Sequence, residues 1–492
     1  MLFNSYSFML FFPIVLCIYF VIPKKARHLW LLVASYYFYM GWNAKYAILI
    51  AISTIVTYLG GLCIEKWKEK RKWIVAGVVL INLCILFFFK YFDFFLGNVN
   101  RILSLFGANS LQKGFDILLP VGISFYTFQA LGYTIDVYRG TIKAEKNFLK
   151  YALFVSFFPQ LVAGPIERSG NLLCQINRVE QIKLWNYRRI TEGAVLMLWG
   201  YFLKMVIADR VSIVVDRVYD SYWMYGSVEI IIASVLFAIQ IYCDFASYSQ
   251  IAIGAAKIMG FELMENFNTP YFASSIRDFW RRWHISLSTW LRDYVYIPLG
   301  GSRCSKARKY LNLFLTFLIS GLWHGANWTY VVWGMIHGIY QIVEDATESV
   351  RQKLVLKLHI MTNNFSYRFG QILMTFILTD FAWIFFRANH LSDACRMIGR
   401  IVTKWNPWVL FDGSVYNLGL NITEVHILFV ALIVLLLVDL VRYKKQVTLD
   451  KFLSTQNLWF RFAVIFGLLF FILIYGEYGP GFSAKQFIYF QF

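Results

Sequence analysis

Long apolar runs divide this chain, and short polar clusters separate the runs from one another. Three of the longest cover residues 74–89, 427–437 and 463–474. With their flanks, such runs reach roughly 20 residues, the length of a helix that crosses the hydrocarbon core of a bilayer. The pattern therefore predicts an all-α, polytopic integral membrane protein.

The predicted spans follow one another closely, and the chain crosses the membrane about eleven times by this pattern. Residues 151–165 are apolar but are interrupted by Pro159, Gly164 and Pro165, so we expect this segment to dip into the membrane and return. The segment 257–309 is rich in Arg, Trp and Pro and is too polar to cross. We expect a single membrane domain over residues 1–492. The twelve apolar segments from which these crossings are predicted lie near residues 5–23, 29–41, 44–64, 73–91, 117–137, 192–208, 228–248, 310–326, 328–344, 371–387, 425–442 and 459–476.

Composition excludes a soluble globule. Only 15% of the residues are charged and 59% are hydrophobic, whereas soluble domains carry about 25% charged residues. The aromatic residues, 19% of the chain, suit a bilayer, because Trp and Tyr rings settle at the headgroup level. The seven cysteines form no CxxC pair and no metal-ligand spacing with histidine. Neither a zinc site nor a disulfide framework is indicated.

The net charge of +19 raises the possibility of nucleic-acid binding. The basic residues cluster in short loops at 24–27, 66–72, 303–309 and 442–445, however, and this arrangement is the positive-inside signature of a membrane protein. We therefore expect the segments 66–72 and 277–309 to be cytosolic and the C-terminus to lie outside. Positive charge follows the first apolar run, so we expect a retained span and not a signal peptide.

His324 is the first candidate for catalysis. It lies in the stretch SGLWHGANW, residues 320–328, between two predicted spans and beside two glycines. Glycine lets backbone and substrate approach closely, and a neutral imidazole in an apolar site is suited to act as a general base. A histidine that is hydrogen-bonded to a neighbouring helix fits the local sequence equally well.

The second candidate is the segment 277–294, which reads RDFWRRWHISLSTWLRDY and contains His284. As one helix it would place arginines on one stripe and aromatic residues on another. Such a helix lies in the membrane interface, with its arginines reaching toward anionic lipid. Its arginines are also suited to the phosphates of an acyl donor such as coenzyme A. The proposed donor-binding residues are Arg277, Arg281, Arg282 and Arg292.

Two further polar residues are candidates for a tunnel or for structural pairing. Asp244 ends a predicted span in the stretch YCDFASYS, residues 242–249, and we expect it to be paired or to face a cavity. Asn327 follows the His324 motif. The chain contains no Walker-type phosphate loop, no G-x-S-x-G elbow and no H-E-x-x-H helix.

At these residues the chain resembles the membrane-bound O-acyltransferase (MBOAT) superfamily, and more closely its bacterial branch of alginate O-acetyltransferase membrane subunits. The RRWH and WHG stretches are the most specific of the matching motifs. The matching stretches lie at residues 1–5, 162–165, 244–248, 266–271, 278–293, 322–325 and 487–492.

This resemblance implies a helical bundle around a tunnel, with the donor entering from the cytosol and the acceptor from outside. His324 takes the place of the family's catalytic histidine. His284 falls where eukaryotic relatives have Asn or Asp, and it is the second catalytic candidate. The implied donor is acetyl-CoA, with no bound cofactor and no metal. The implied partner is an extracytoplasmic acetyltransferase of the SGNH type, similar to AlgJ or AlgX, which passes the acetyl group to a polysaccharide such as alginate, cellulose or peptidoglycan.

Two other functions remain as alternatives to acetyl transfer. In the first, the protein moves D-alanine to teichoic acid, as a related family branch does. In the second, it is a non-enzymatic transporter or flippase, and the same polar residues line a passive path. Transporters often contain two-fold internal repeats, and the sequence shows none.

Overall fold

The computed structural model describes residues 1–113, 119–162 and 164–478, and this part of the chain is helical with no β-strand. Ala163 of the 162–165 motif, the first residues of the span predicted at 117–137, the 487–492 motif and the C-terminus lie outside the described residues. The helices are α1 (Tyr6–Val21), α2 (Arg27–Met40), α3 (Ala47–Lys66), α4 (Arg71–Leu86), α5 (Phe92–Leu105), α6 (Ile123–Arg139), α7 (Phe148–Ser156), α8 (Phe158–Leu161), α9 (Cys174–Asn177), α10 (Tyr187–Tyr201), α11 (Asp209–Asp220), α12 (Ser227–Met259), α13 (Ile276–Arg282), α14 (Ile285–Leu291), α15 (Lys306–His324), α16 (Trp328–Ala346), α17 (Glu348–Lys357), α18 (Phe365–Arg387), α19 (Leu391–Thr403), α20 (Ile422–Lys445), α21 (Leu449–Ser454) and α22 (Leu458–Tyr475).

Seven continuous helical segments of the described residues are long and apolar enough to cross a membrane. The other predicted spans also form helices, but these are shorter or more polar: α1, α2, α6, α15 and α16. The all-helical, polytopic prediction is confirmed. The seven segments are Ala44–Lys66, Arg71–Leu105, Tyr187–Asp220, Ser227–Met259, Phe365–Arg387, Ile422–Lys445 and Leu458–Tyr475.

The described residues divide into two compact units. The first contains Met1–Ile190 and Ala255–Met264. Its core is rich in aromatic residues, and the rings of Phe11, Phe38 and Phe158 are in mutual contact. Within this unit the chain predicted to dip into the membrane forms two short helices, α7 and α8. The two helices are separated at Phe157. Pro159 lies in the first turn of α8, where a proline is tolerated, whereas it would disrupt a helix that continued from α7.

The second unit contains Thr191–Gly254 and the chain from Glu265 onward, and it includes every residue proposed for catalysis or donor binding. In this unit α15 and α16 pack against each other and are joined by the short turn 325–327. Ser305 caps the start of α15 by accepting from the Arg308 backbone N–H, and Asn327 caps α16 by accepting from Thr329. These caps satisfy helix N–H groups that have no intrahelical partner.

Glycines allow α15 and α16 to pack backbone to backbone. A Cβ atom on Gly321 would lie 2.3 Å from the Tyr330 carbonyl oxygen, and one on Gly334 would lie 2.4 Å from the Phe317 carbonyl oxygen. Both separations are shorter than a van der Waals contact, so any larger residue would push the helices apart. Small residues serve the same purpose between membrane helices generally. This packing fixes the position of His324, the last residue of α15.

The prediction of one continuous helix over residues 277–294 is wrong. The chain forms α13, then breaks at Trp283 and His284, and resumes as α14. His284 has a left-handed backbone with φ of 42°, a conformation that a helix cannot contain and that non-glycine residues seldom adopt. The break places the His284 side chain in the interior instead of on a helix stripe.

Candidate active site

His324 and His284 lie together in an apolar, aromatic enclosure within the second unit. Their ring centroids are 6.4 Å apart, and both side chains are buried. The His324 ring meets Trp333 at 5.1 Å and Phe386 at 5.3 Å, nearly edge to face in each case. The two histidines that were separate candidates in the sequence therefore lie side by side in one buried cluster.

The backbone around His284 is held by the segment that precedes α13. The Asn268 N–H donates to the Arg282 carbonyl oxygen, and the Ile285 N–H donates to the Asn266 carbonyl oxygen, each at 2.9 Å. These bonds lie on either side of His284 and stabilise its left-handed conformation. Such a conformation persists only where the surrounding contacts determine it, and it is common at functional sites.

Asn266 also sets the tautomer of the His284 ring. Its amide nitrogen donates to the Ser249 hydroxyl at 3.2 Å, so its amide oxygen faces His284. That oxygen lies 3.0 Å from His284 Nδ1, and an oxygen of this kind can only accept. Nδ1 therefore has the hydrogen, and Nε2 has the lone pair of the neutral ring.

Burial also favours the neutral form of the His284 ring. The ring lies wholly in the interior, where Phe245 contacts it at 4.6 Å. Removal from water disfavours the imidazolium form, so burial lowers the pKa of His284 from its ordinary 6.5 to about 3. The ring is neutral over the physiological range, and the lone pair of this neutral form is on Nε2.

A third buried histidine, His337, belongs to the same aromatic cluster. It was not among the candidates predicted from the sequence. It lies in the middle of α16 and is fully buried, and its ring centroid is 4.9 Å from that of Trp333. The Trp280 indole N–H donates to His337 Nδ1 at 3.3 Å. The available signal was an ionisable residue inside a predicted span, a position that is usually functional.

Asp244 is paired, which is one of the two outcomes expected for it. Its carboxylate accepts from the Lys204 ammonium at 2.6 Å, and the same ammonium lies 2.8 Å from the Asp209 carboxylate. All three side chains are almost completely buried. Lys204 and Asp209 were not among the candidates predicted from the sequence, although a lysine within an apolar span was a signal that could have identified them.

Asn327 has a structural position. It caps α16, and its amide nitrogen donates to the Asn389 carbonyl oxygen at 3.1 Å. The amide oxygen and the amide nitrogen of Asn327 therefore both form hydrogen bonds within the protein.

The four arginines proposed for donor binding differ in whether their charge is paired with a carboxylate. Arg277 forms an ion pair with Asp345 at 3.1 Å, Arg282 with Asp278 at 2.9 Å, and Arg292 with its neighbour Asp293 at 2.7 Å. Arg281 is exposed, and no carboxylate among the described residues forms an ion pair with it. Of the four, Arg281 has the charge most readily available to a phosphate.

A cavity of about 770 Å³ lies where the start of α13, the second half of α16 and the first half of α18 meet. Its lining includes Ser275, Tyr340, Arg351 and Gln371. The lining also contains Glu344. Polar and charged side chains set among apolar neighbours are features of sites for extended organic ligands. Across the described residues, no group of three His, Cys, Asp or Glu side chains is arranged to hold a metal ion.

Comparisons with known proteins cover most of this chain. The family model described as MBOAT, the membrane-bound O-acyltransferase family, matches residues 142–385, a range that includes His284, His324 and His337. The probable alginate O-acetylase AlgI of Pseudomonas aeruginosa is 39% identical over 86% of this chain and 79% of its own length. The peptidoglycan O-acetyltransferase of Helicobacter pylori is 36% identical over 82% and 80%, respectively. The teichoic acid D-alanyltransferase of Bacillus subtilis is 25% identical over 58% and 71%.

Proposed function

Because this chain belongs to the membrane-bound O-acyltransferase family, we propose that it takes an acetyl group from cytosolic acetyl-CoA for the O-acetylation of an extracytoplasmic polysaccharide. The chain is a multi-pass membrane enzyme of the acyltransferase class, and this removes the transporter alternative. Relatives named for acetyl transfer share 36–39% identity over most of the chain, whereas the D-alanyltransferase shares 25% over 58%. An acetyl group is therefore preferred over D-alanine.

The observation that supports this function most strongly is the pair of buried rings, His284 and His324, 6.4 Å apart. In the proposed reaction His324 is the general base. The acceptor hydroxyl oxygen attacks the thioester carbonyl carbon while His324 takes the hydroxyl proton. The C–S bond then breaks, and the proton on His324 passes to the departing thiolate, so that an ester and a free thiol are produced.

His284 assists by orienting the acceptor in this proposal. Its Nδ1 is bound to Asn266, so its Nε2 lone pair can accept a hydrogen bond from the attacking hydroxyl group. The enclosure around both rings is apolar and excludes water, which would otherwise hydrolyse the thioester. Donor phosphates are bound by Arg281 at the cytosolic side, with Arg277, Arg282 and Arg292 as weaker contributors. The 770 Å³ cavity beside α13 is suited to the extended arm of the donor.

The acceptor of the acetyl group on the far side is, in our proposal, an extracytoplasmic acetyltransferase of the SGNH type that modifies the polymer. The polysaccharide is of the kind named for the relatives, alginate or peptidoglycan.

Replacement of His324 tests the proposal. General-base catalysis typically contributes about 10²–10⁴-fold in rate, so His324→Ala should nearly abolish polymer acetylation. His324→Gln should do the same, because glutamine retains a hydrogen bond but cannot take the proton. Acetylated polymer and membrane-inserted protein are measured together, with His390→Gln, an exposed histidine, as the control. Substantial acetylation by either His324 variant would refute the assignment.

A further inference from the structure

Trp333 and His337 lie one turn apart on α16, beside the catalytic pair. Both side chains are completely buried. The Trp333 ring lies in contact with both His324 and His337, at centroid distances of 5.1 Å and 4.9 Å. Neither Trp333 nor His337 has a part in the proton transfer described above.

The hydrogen bond from Trp280 determines which nitrogen of His337 has the hydrogen. An indole N–H can only donate, so His337 Nδ1 must accept, and the ring must be neutral. The hydrogen is therefore on Nε2, and that atom is a donor. Trp333 Nε1 is also a donor only.

Both donors are buried without an acceptor. Within the described part of the chain, neither His337 Nε2 nor Trp333 Nε1 has a hydrogen-bond partner. A buried N–H group in this state is rare and unfavourable, and it calls for a specific explanation. The missing partner must be an acceptor. Aromatic side chains surround both groups, so a permanently charged ligand would be poorly solvated there.

We propose that Trp333 Nε1–H and His337 Nε2–H form a subsite for the carbonyl oxygen of the acyl group that is transferred. A carbonyl oxygen has two lone pairs and can accept from both donors. The subsite rests on the proposed function, because the oxygen it binds is that of the donor thioester next to His324. Trp280 is a positioning residue, since it acts through His337.

The subsite acts when charge develops on this oxygen. As the acceptor oxygen bonds to the carbonyl carbon, the C=O π electrons move to the carbonyl oxygen, and the proton moves to His324. When these electrons return, the C–S bond breaks and the thiolate takes the proton. Donors that are already aligned in a water-free site stabilise the intermediate oxyanion more strongly than they stabilise the starting thioester.

Substitution of the indole N–H is the most direct test. Trp333→Phe keeps an aromatic ring and removes the donor. In the purified full-length enzyme we expect kcat for acetyl transfer from acetyl-CoA to fall about 10²-fold or more, with little change in KM. Binding of S-ethyl-CoA, a thioether that lacks the carbonyl oxygen, should be the same in the variant and the wild type.

His337 provides the second variant. His337→Leu removes the donor and the acceptor of Trp280, whereas His337→Gln can accept from Trp280 and still donate. We expect the glutamine variant to retain a larger kcat than the leucine variant. Trp199→Phe is the matched control, because Trp199 is a buried indole that stacks on Phe202 and makes no ring contact with His284, His324 or His337 within the described part of the chain. Its kcat should remain near that of the wild type.

Three results would overturn the subsite. The first is a Trp333→Phe enzyme with unchanged kcat. The second is an equal loss of S-ethyl-CoA binding, which would indicate a distorted donor site. The third is a similar loss of kcat in Trp199→Phe. A wild-type enzyme that does not use acetyl-CoA would refute the proposed function together with the subsite, whereas an active wild type with an unaffected Trp333→Phe variant would refute the subsite alone.

Discussion

Asn266→Ala is the perturbation that most directly tests how His284 is oriented. The Asn266 side-chain oxygen lies within hydrogen-bonding distance of three donors: His284 Nδ1 at 3.0 Å, the Ser286 backbone N–H at 3.3 Å and the Ser286 hydroxyl at 2.9 Å. Alanine removes this acceptor from a buried position. The substitution should therefore affect both the stability of the protein and the orientation of the imidazole.

The stability effect follows from the donors left behind. A buried donor without an acceptor costs about 1–3 kcal/mol. The Ser286 hydroxyl can rotate toward another acceptor, but His284 Nδ1–H and the Ser286 N–H cannot, so we expect a total loss of about 2–6 kcal/mol in the free energy of unfolding. The loss in kcat should be smaller than that of His324→Ala, whose ceiling is about 10²–10⁴-fold. Thermal unfolding and kcat are measured on the same purified samples.

Asn266→Asp separates orientation from simple loss of packing. The carboxylate retains an acceptor for His284 Nδ1 and also raises the pKa of His284, because a negative charge nearby favours the imidazolium form. In the wild type, burial lowers the pKa of His284 to about 3, so the Nε2 lone pair is present throughout the usual pH range. In the variant the lone pair is lost as pH falls through the raised pKa, and kcat should decline toward acid pH.

Asn312→Ala is the matched control for both variants, because Asn312 is an equally buried asparagine that donates to the Gly301 carbonyl oxygen. It should lower stability without changing the pH dependence of kcat. An Asn266→Asp enzyme with the pH profile of the wild type, or an Asn266→Ala enzyme with full kcat, would show that Asn266 does not orient His284.

Two other outcomes follow from the packing and the charges. Gly321→Val should greatly reduce the yield of folded, membrane-inserted protein, since even a Cβ atom would lie 2.3 Å from the Tyr330 carbonyl oxygen. Gly370→Val, where a Cβ atom would meet nothing within 4 Å, should insert normally, and equal yields from both variants would contradict the packing argument. Arg281→Gln should raise KM for acetyl-CoA with little change in kcat. Arg292→Gln should have a weaker effect, because Asp293 already pairs with that arginine, and an unchanged KM in Arg281→Gln would leave lipid anchoring as its role.

The sequence predicted well those features that depend on residues close to one another along the chain. The apolar run at 427–437 lies within α20, and the glycines beside His324 lie where two helices meet. Apolar length and helix capping are local properties, so the approximate helix positions could be obtained from the sequence alone. That Asp244 would be paired or face a cavity also followed from a local argument, the cost of an isolated carboxylate in an apolar span, and the structure shows the pairing.

The geometry of His284 could not be obtained in this way. The residues around it favour a continuous amphipathic helix, and the break depends on bonds from Asn266, 18 positions earlier in the chain. The hydrogen bond of His337 could not be obtained from the sequence for a related reason, because a histidine in an apolar helix gives no local sign of the indole that donates to it. Trp280 is 57 positions away and provides that bond. Long-range hydrogen bonds of this kind decide which ring nitrogen has the proton, and therefore which chemistry the residue can perform.

The buried ion pairs of Lys204 also bear on the orientation of His284. Asp244 is held by the Lys204 ammonium at 2.6 Å, and the next residue, Phe245, packs its ring against His284. One turn further along α12, Ser249 accepts from Asn266, which in turn holds His284 Nδ1. Buried ion pairs are a poor source of stability, but in some proteins they fix the register of the elements that they join, because a shifted helix would leave charges unpaired in an apolar interior. We therefore infer that the pairing of Lys204 with Asp244 fixes the turn of α12 from which Phe245 and Ser249 determine the orientation of His284.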